Sequence, residues 1–487
     1  MGGGKNIVSN ISEVNLQAFP IDRYAPVAKQ GTVDELRQLA VQVREILNGQ
    51  AVWHINSTAA GGGVAEMLPS LLGYCRDLGI DTRWLVISGS PDFFQITKRL
   101  HHALHGEAGD GMPLDAAAHK IYERTMEENA GDILSIVRPG DIVILHDPQT
   151  IGLAEELSRH GARVVWRCHI GQSESLPEAD KGWNFLAPYL EYAESYIFSR
   201  KEYIPDVIDP NEVRIIQPTI DAFSAKNQEM DADTVRTILV HAGILAGPLP
   251  DTRNYEFQRR DGSRGRVDRH ADIVRCGRST KPHVPLVIQV SRWDPLKDPI
   301  GVMHGFAHFI TTNPESNAEL MLVGPSVQSV ADDPESPATF HQVFGAWCQL
   351  HHWQRARVHL VMLPMGDVEE NAAIVNALQR HASVIVQKSL QEGFGLTVTE
   401  AMWKARPIIA TRVGGIQDQI ENNKHGVLLD DPTSTDEFSL ALQQIFRNPG
   451  YADKIGTAAR DRVREEFLQT RGVFNYLNLF LDFSKDA

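Results

Sequence analysis

The stretch "SVIVQKSLQEGFGLTVTEAMWKARPIIATRVGG", residues 383–415, reads as strand, glycine-rich loop, helix and strand in quick succession. The run "SVIVQ" (383–387) is short and apolar, as a buried strand should be, and "PIIATR" (407–412) repeats the pattern after a helix-forming segment. A strand–helix–strand unit of this kind builds a parallel sheet. Between and just after the two strands lie two carboxylates, Glu392 and Glu400, and four glycines, Gly393, Gly395, Gly414 and Gly415. Glycine permits close approach of the backbone, and the start of a helix presents N–H groups that have no partner within it. Those N–H groups face whatever ligand sits there, beside the two acids.

The same rhythm runs through the whole chain. One series of strand-like runs comprises "AVWHIN" (51–56), "TRWLVIS" (82–88), "DIVILH" (141–146), "RVVWRC" (163–168) and "SYIFS" (195–199). A second comprises "PLVIQVS" (285–291), "AELMLVG" (318–324), "RVHLVML" (357–363) and the two runs above, with helix-period segments between members. Two series predict two Rossmann-like α/β domains. The segment 247–285, rich in Pro, Gly and Arg, predicts the junction, with Asp261–Gly262 closing a small hairpin and its arginines forming a solvated surface. The expected division is therefore 1–245, a linker at 246–284, 285–465, and a C-terminal helical segment at 466–487 packing back toward the first domain.

Composition narrows the function. A chain of 487 residues exceeds one ordinary core, and 42% hydrophobic with 22% charged residues suits a soluble globular protein. A formal charge of −15 disfavours nucleic acid as a partner, because phosphate-backbone binding needs concentrated Lys and Arg. No apolar run is long enough for a bilayer, so no membrane partner is expected, and the first residues lack a secretory pattern, which predicts a cytoplasmic protein. The four cysteines, Cys75, Cys168, Cys276 and Cys348, lie far apart without CxxC spacing and read as free thiols.

Ligands of open α/β sheets bind beyond the carboxyl ends of the strands, which directs attention to three loops. The first, "HINSTAAGGGVAEML", enters a helix through Gly61, Gly62 and Gly63, a setting that favours an anion, but Glu66 stands where a dinucleotide fingerprint needs glycine. The second, "RWDPLKDP", places Arg292 and Lys297 just past a strand, able to grip a diphosphate as a fork and a point charge. The third is the loop at 391–395 with its two acids.

These residues resemble the retaining glycosyltransferases of family GT4, which have the GT-B fold: "EGFGLTVTE" matches the E-x7-E signature, and "VSRWDPLKDP", the "VGG" at 413–415 and "NSTAAGGGVAEML" follow in the expected order. Within that family "LHDPQT", "WRCHIGQ" and "EGFGLTVTEAMWKA" are most similar to the branch that makes trehalose from a nucleoside-diphosphate glucose and glucose, with the trehalose phosphorylases next. The resemblance implies an α/β GT-B architecture of two Rossmann-like domains with a cleft between them. It implies that Glu392 contacts the transferred glucose and Glu400 the nucleotide ribose, and that Arg292 and Lys297 neutralise the departing diphosphate, helped by N–H groups around Phe394, Gly395 and Leu396. Gly62, Gly63, Gly414 and Gly415 would approach the donor; His146, Asp147, Lys98 and His101 would serve the acceptor; His169 would bind sugar hydroxyls near the reacting face.

The candidate loops carry no DxD motif, so the expected chemistry is cation-assisted, with no metal and no cofactor beyond a substrate such as UDP-, ADP- or GDP-glucose. Small-molecule sugars are the expected partners, and the family makes a homodimer a reasonable expectation. Base contacts are expected from "MLPMGDVEEN" (362–371). A retaining glycosidase also uses two carboxylates, but it has no need of a cation pair; a non-catalytic sugar-nucleotide sensor would have lost a donor residue, and all four are present.

Overall fold

A computed structural model describes residues 10–59, 62–172, 176–249, 254–327 and 336–483. The chain divides into two compact units. One contains the described residues up to Thr219 together with those from Gln469 onward, and the other runs from Ile220 to Leu468.

The first unit is built on a seven-stranded sheet of β1 (Ile11–Glu13), β2 (Val52–Asn56), β3 (Thr82–Ile87), β4 (Ile142–His146), β5 (Arg163–Cys168), β6 (Ser195–Phe198) and β7 (Val213–Ile215), in spatial order β1-β3-β2-β4-β5-β6-β7. Every pairing is parallel except that of β1 with β3. Strands β2 and β4 are buried along their whole length, which is why they read as unbroken apolar runs rather than as alternating ones. One face of the sheet closes a core around Trp53, Leu85, Phe93, Tyr122, Trp166 and Phe198.

The second unit repeats the plan after a two-stranded hairpin, β8 (Glu256–Gln258) and β9 (Arg264–Arg266). Its sheet contains β10 (Asp272–Val274), β11 (Leu286–Val290), β12 (Glu319–Pro325), β13 (Val358–Leu363), β14 (Val384–Gln387), β15 (Ile408–Thr411) and β16 (Val427–Leu429), in order β10-β13-β12-β11-β14-β15-β16, with only β10 antiparallel. Strand order reverses between β2 and β4 in one sheet and between β11 and β14 in the other. These are the switch points at which doubly wound sheets open a crevice for ligands.

The boundary expected at residue 245 lies instead at Thr219/Ile220, and the segment 220–245 belongs to the second unit. The reason is local: Asn376 Nδ2 donates to the carbonyls of Ala225 and Gln228, and Trp403 Nε1 to that of Asn227. The helix Ala232–His241 then packs on the helix Val368–His381. The segment expected as a linker is likewise part of this unit, since β10 extends its sheet. The C-terminal stretch breaks at Phe467–Leu468 into helices Pro449–Glu466 and Gln469–Asp482, and the second of these packs on the helices Thr32–Leu47 and Gly62–Asp77 of the first unit.

The hairpin turns at Asp261–Gly262, where Gly262 has φ +82°. The arginines of 247–285 are not all solvated: Arg259 pairs with Asp367 at 2.5 Å and with Glu369 at 3.4 Å, and Arg269 binds Glu370. All four cysteines are free, Cys75 and Cys168 buried and Cys348 exposed. Among the described residues no helix is long and apolar enough to cross a membrane.

Candidate functional site

In the second unit the chain leaves β11 through Arg292 and turns at Pro295–Lys297, where Asp294 Oδ1 accepts from Leu296 N at 2.8 Å. It enters the helix Pro299–Thr312 through Asp298, which has the left-handed φ of +47° and whose Oδ1 caps Gly301 N at 2.9 Å. The Lys297 side chain reaches the loop beyond β14, and its Nζ donates to Glu392 Oε2 at 2.7 Å. The same oxygen lies 3.3 Å from Ser389 Oγ and 3.5 Å from Gln387 Nε2. The Lys297 and Glu392 side chains are only 16% and 13% exposed, so the pair is shielded enough for its charges to matter. Arg292, by contrast, is mostly exposed and lies 3.4 Å from Asp294.

Gly395 caps the helix Leu396–Trp403 at φ +83°, and a Cβ there would lie 3.1 Å from the Glu392 side chain and 3.2 Å from that of Ile416. A Cβ on Gly415 would sit 2.8 Å from the Phe394 Cα, and Gly415 N donates to Gly393 O at 2.9 Å. Gly415, beside Gly414 at φ +47°, therefore lets two loops touch, and the Gln419 side chain seals the contact by donating to Phe394 O at 2.5 Å. In the second turn of the helix, buried Glu400 meets Lys226 Nζ at 3.3 Å. Behind it, fully buried Lys404 donates to Asn227 Oδ1; burial drives this amine well below its usual range, against the pull of Glu400.

In the first unit β4 ends at His146, and Asp147 follows at φ +61°, a strained conformation for a residue with a side chain and one that clusters at functional sites. Asp147 Oδ1 accepts from His169 N at 2.8 Å and faces His169 Nδ1 at 3.1 Å. Burial raises the Asp147 pKa, but contacts with His169 and the nearby His101 outweigh it and hold the carboxyl below its ordinary value. His169 is lowered by burial and by Arg167, against the pull of Asp147.

His169 has both ring nitrogens engaged within the protein, because Nε2 faces Arg167 Nε at 2.6 Å. In this geometry the imidazole faces Arg167 and Asp147, and the group with accepting capacity to spare is Asp147. His146 is fully buried, shares a 2.9 Å contact with His54 and stacks on His169, which makes it a support behind Asp147 rather than an acceptor ligand. Lys98 and His101 lie exposed on the helix Pro91–Leu104. Gly62, at φ +78°, opens the helix Gly62–Asp77 with Gly63 in its first turn; Gly61 lies outside the described residues.

Sequence reading missed Gln387, Lys388 and Ser389, although they stand at and just past the end of β14, and Arg167, near the end of β5 and two residues before His169. It also missed Lys226, for which the sequence carries no local signal. The acids of 362–371 are held by the hairpin arginines and by the backbone of Asp268 and Arg269. Among the described residues no cluster of His, Cys, Asp and Glu is arranged to hold a metal ion.

A lysine against a carboxylate at a sheet's switch point, beside a glycine-opened helix, suits a ligand carrying both phosphate and sugar hydroxyls. Residues 54–205 match the family model described as trehalose synthase, N-terminal domain, and residues 365–462 the model described as glycosyl transferases group 1. The chain is 33% identical over 450 residues to a trehalose synthase of Thermococcus litoralis, covering 92% of this chain and 95% of that one. It is 24% identical to a trehalose phosphorylase of Pleurotus pulmonarius, covering 92% of this chain but 58% of the relative. Its fold is that of a trehalose-6-phosphate synthase, OtsA, with TM-score 0.62, 14% identity and coverage of 90% of this chain and 99% of the other. By similarity along nearly its full length, and by its two parallel-sheet Rossmann-like units of the GT-B type, the chain belongs to the trehalose synthase family of group 1 glycosyltransferases.

Proposed function

We propose that the chain makes trehalose by moving glucose from a nucleoside-diphosphate glucose onto the anomeric hydroxyl of free glucose with retention of configuration. The observation that carries this reading is the 2.7 Å Lys297–Glu392 pair beside the helix that bears Glu400. In this reading the donor's diphosphate draws Lys297 and Arg292, which neutralise the charge that develops as the glycosidic C–O bond breaks. Glu392 receives hydroxyls of the glucosyl group, and Glu400 those of the ribose. The acceptor hydroxyl attacks the anomeric carbon from the face the phosphate leaves, its proton passes to the departing phosphate oxygen, and no side chain forms a covalent intermediate. Asp147 orients sugar hydroxyls, ionised as its lowered pKa requires.

The fixed cations take the part that a divalent metal would otherwise play, so chelation should leave turnover intact. Phosphorolysis of trehalose is the second reading, favoured by similarity to the phosphorylase over 92% of this chain. One assay separates them: purified protein with UDP-, ADP- or GDP-glucose plus glucose, beside trehalose plus inorganic phosphate, each with and without EDTA. Nucleoside diphosphate released together with a non-reducing disaccharide supports the synthase. Glucose 1-phosphate formed from trehalose, with no transfer from any nucleotide sugar, overturns it.

A further inference from the structure

Arg167 is a buried arginine that the reaction does not use directly, 1% exposed at the end of β5. Its guanidinium makes three directed contacts: Nε lies 2.6 Å from His169 Nε2, Nη1 2.9 Å from Tyr476 Oη and Nη2 3.1 Å from Ile216 O. Arginine is always protonated and can only donate. His169 Nε2 must therefore be the acceptor and carry no proton, which places the imidazole's proton on Nδ1, the nitrogen that faces Asp147. A neutral imidazole has one donor and one acceptor nitrogen, so this single contact decides which way it donates.

We propose that Arg167 is a positioning residue of the transfer site: it fixes His169 as the neutral Nδ1–H tautomer aimed at Asp147, and it ties that alignment to the helix Gln469–Asp482 and to the strand end at Ile216. The inference rests on the reading above that Asp147 receives sugar hydroxyls. His169 then acts through Asp147, holding the carboxylate with its backbone N–H and its ring N–H together. Around this pair stand His146 from β4, stacked on His169 at 5.5 Å, and His54 from β2 behind it. His101 acts on Asp147 from the helix Pro91–Leu104, and Tyr476 lies under Arg167 with ring and guanidinium 5.5 Å apart. Burial and the Arg167 charge both oppose a proton on Nε2. Without Arg167, Nε2 can take a proton, and the ring can donate away from Asp147 or become a cation.

The test begins with the unaltered protein. Nitrogen-15 NMR of histidine-labelled chain, with the His169 signals assigned by their loss in His169→Gln, should show a protonated Nδ1 and a bare Nε2. A protonated Nε2 overturns the proposal, and this result does not depend on activity, so it stands even if the functional reading fails. Kinetics follow with Arg167→Met and Arg167→Lys. Arg167→Met should lose kcat by roughly ten- to a hundredfold, as when groups that orient an imidazole are removed, and should move the acid limb of kcat/KM to higher pH. Arg167→Lys keeps the charge, so the acid limb should stay near its original place while kcat recovers only in part. A folded Arg167→Met with an unshifted pH profile and unchanged kcat would refute the idea; if that variant does not fold, the tautomer of the unaltered protein and the Arg167→Lys profile decide.

Discussion

Lys297 Nζ and Glu392 Oε2 are 2.7 Å apart although 95 residues of sequence separate them, because β11 and β14 are direct neighbours in the sheet. Each charge is the other's partner, and in the proposed reaction a donor must part them to use both. The pair is the simplest thing to break, and its loss should be felt in the chemistry before the fold.

Glu392→Gln keeps the shape of the side chain and removes the charge. Turnover should fall by at least roughly a hundredfold, the scale on which a single transition-state contact acts. The thermal midpoint should move by only a few degrees, since the residue sits on a loop and about 1 kcal/mol shifts a large chain little. Wild-type turnover in initial-rate assays would remove Glu392 from the reaction.

Glu400 separates the two readings of the reaction. A ribose hydroxyl bound to it contributes on the order of 1 kcal/mol, more when the acceptor is charged, so Glu400→Ala should weaken use of the nucleotide sugar by roughly ten- to a hundredfold. Phosphorolysis of trehalose involves no ribose and should change far less. Equal losses in kcat/KM for both would mean that Glu400 serves chiefly to pair with Lys226.

The His54–His146 pair makes the first unit sensitive to acid. Burial, with Arg167 and His169, lowers the His54 pKa from 6.5 to about 3, and burial lowers that of His146 as well. Between those two values the unfolded chain binds more protons than the folded one, so stability falls as pH falls, by up to about 1.4 kcal/mol per pH unit for each such histidine. Urea denaturation from pH 7 to pH 4 should show this decline, and His54→Gln should flatten it. Parallel curves for the two proteins would contradict the assignment.

Lys388 is wholly buried and bonds Asp298 and the carbonyl of Pro432. Lys388→Met leaves the Asp298 carboxylate without its counter-charge at the start of the helix Pro299–Thr312, next to Lys297. Removing one partner of a buried pair costs about 3 kcal/mol or more. The denaturation midpoint should drop accordingly, and the KM for donor should rise because the Lys297 turn loses its anchor. A variant as stable as the parent would show that solvent reaches Asp298 freely.

How much of this was legible in the sequence differs from strand to strand. All ten apolar runs form strands, because a strand buried on both faces must be apolar throughout and announces itself. The four remaining strands of the two seven-stranded sheets, β1, β7, β10 and β16, gave no such signal, and each is an edge strand of three residues. An edge strand is defined by the neighbour that it pairs with, and three residues carry too little pattern to name one.

The site divides in the same way. Local spacing determined the glycine loop, the helix that follows it and the positions of Glu392 and Glu400, since backbone freedom and helical periodicity are properties of adjacent residues. Only the tertiary structure decided what those acids touch: Lys297 through strand adjacency, Lys226 through a segment that sequence assigned to the other domain. Likewise "WRCHIG" offered a histidine, but the contact from Arg167 that sets its proton, and the 22 residues closed between Asp147 and His169, follow from β4 and β5 lying side by side. Register between strands is fixed by burying whole faces at once, and no short stretch of sequence contains that information.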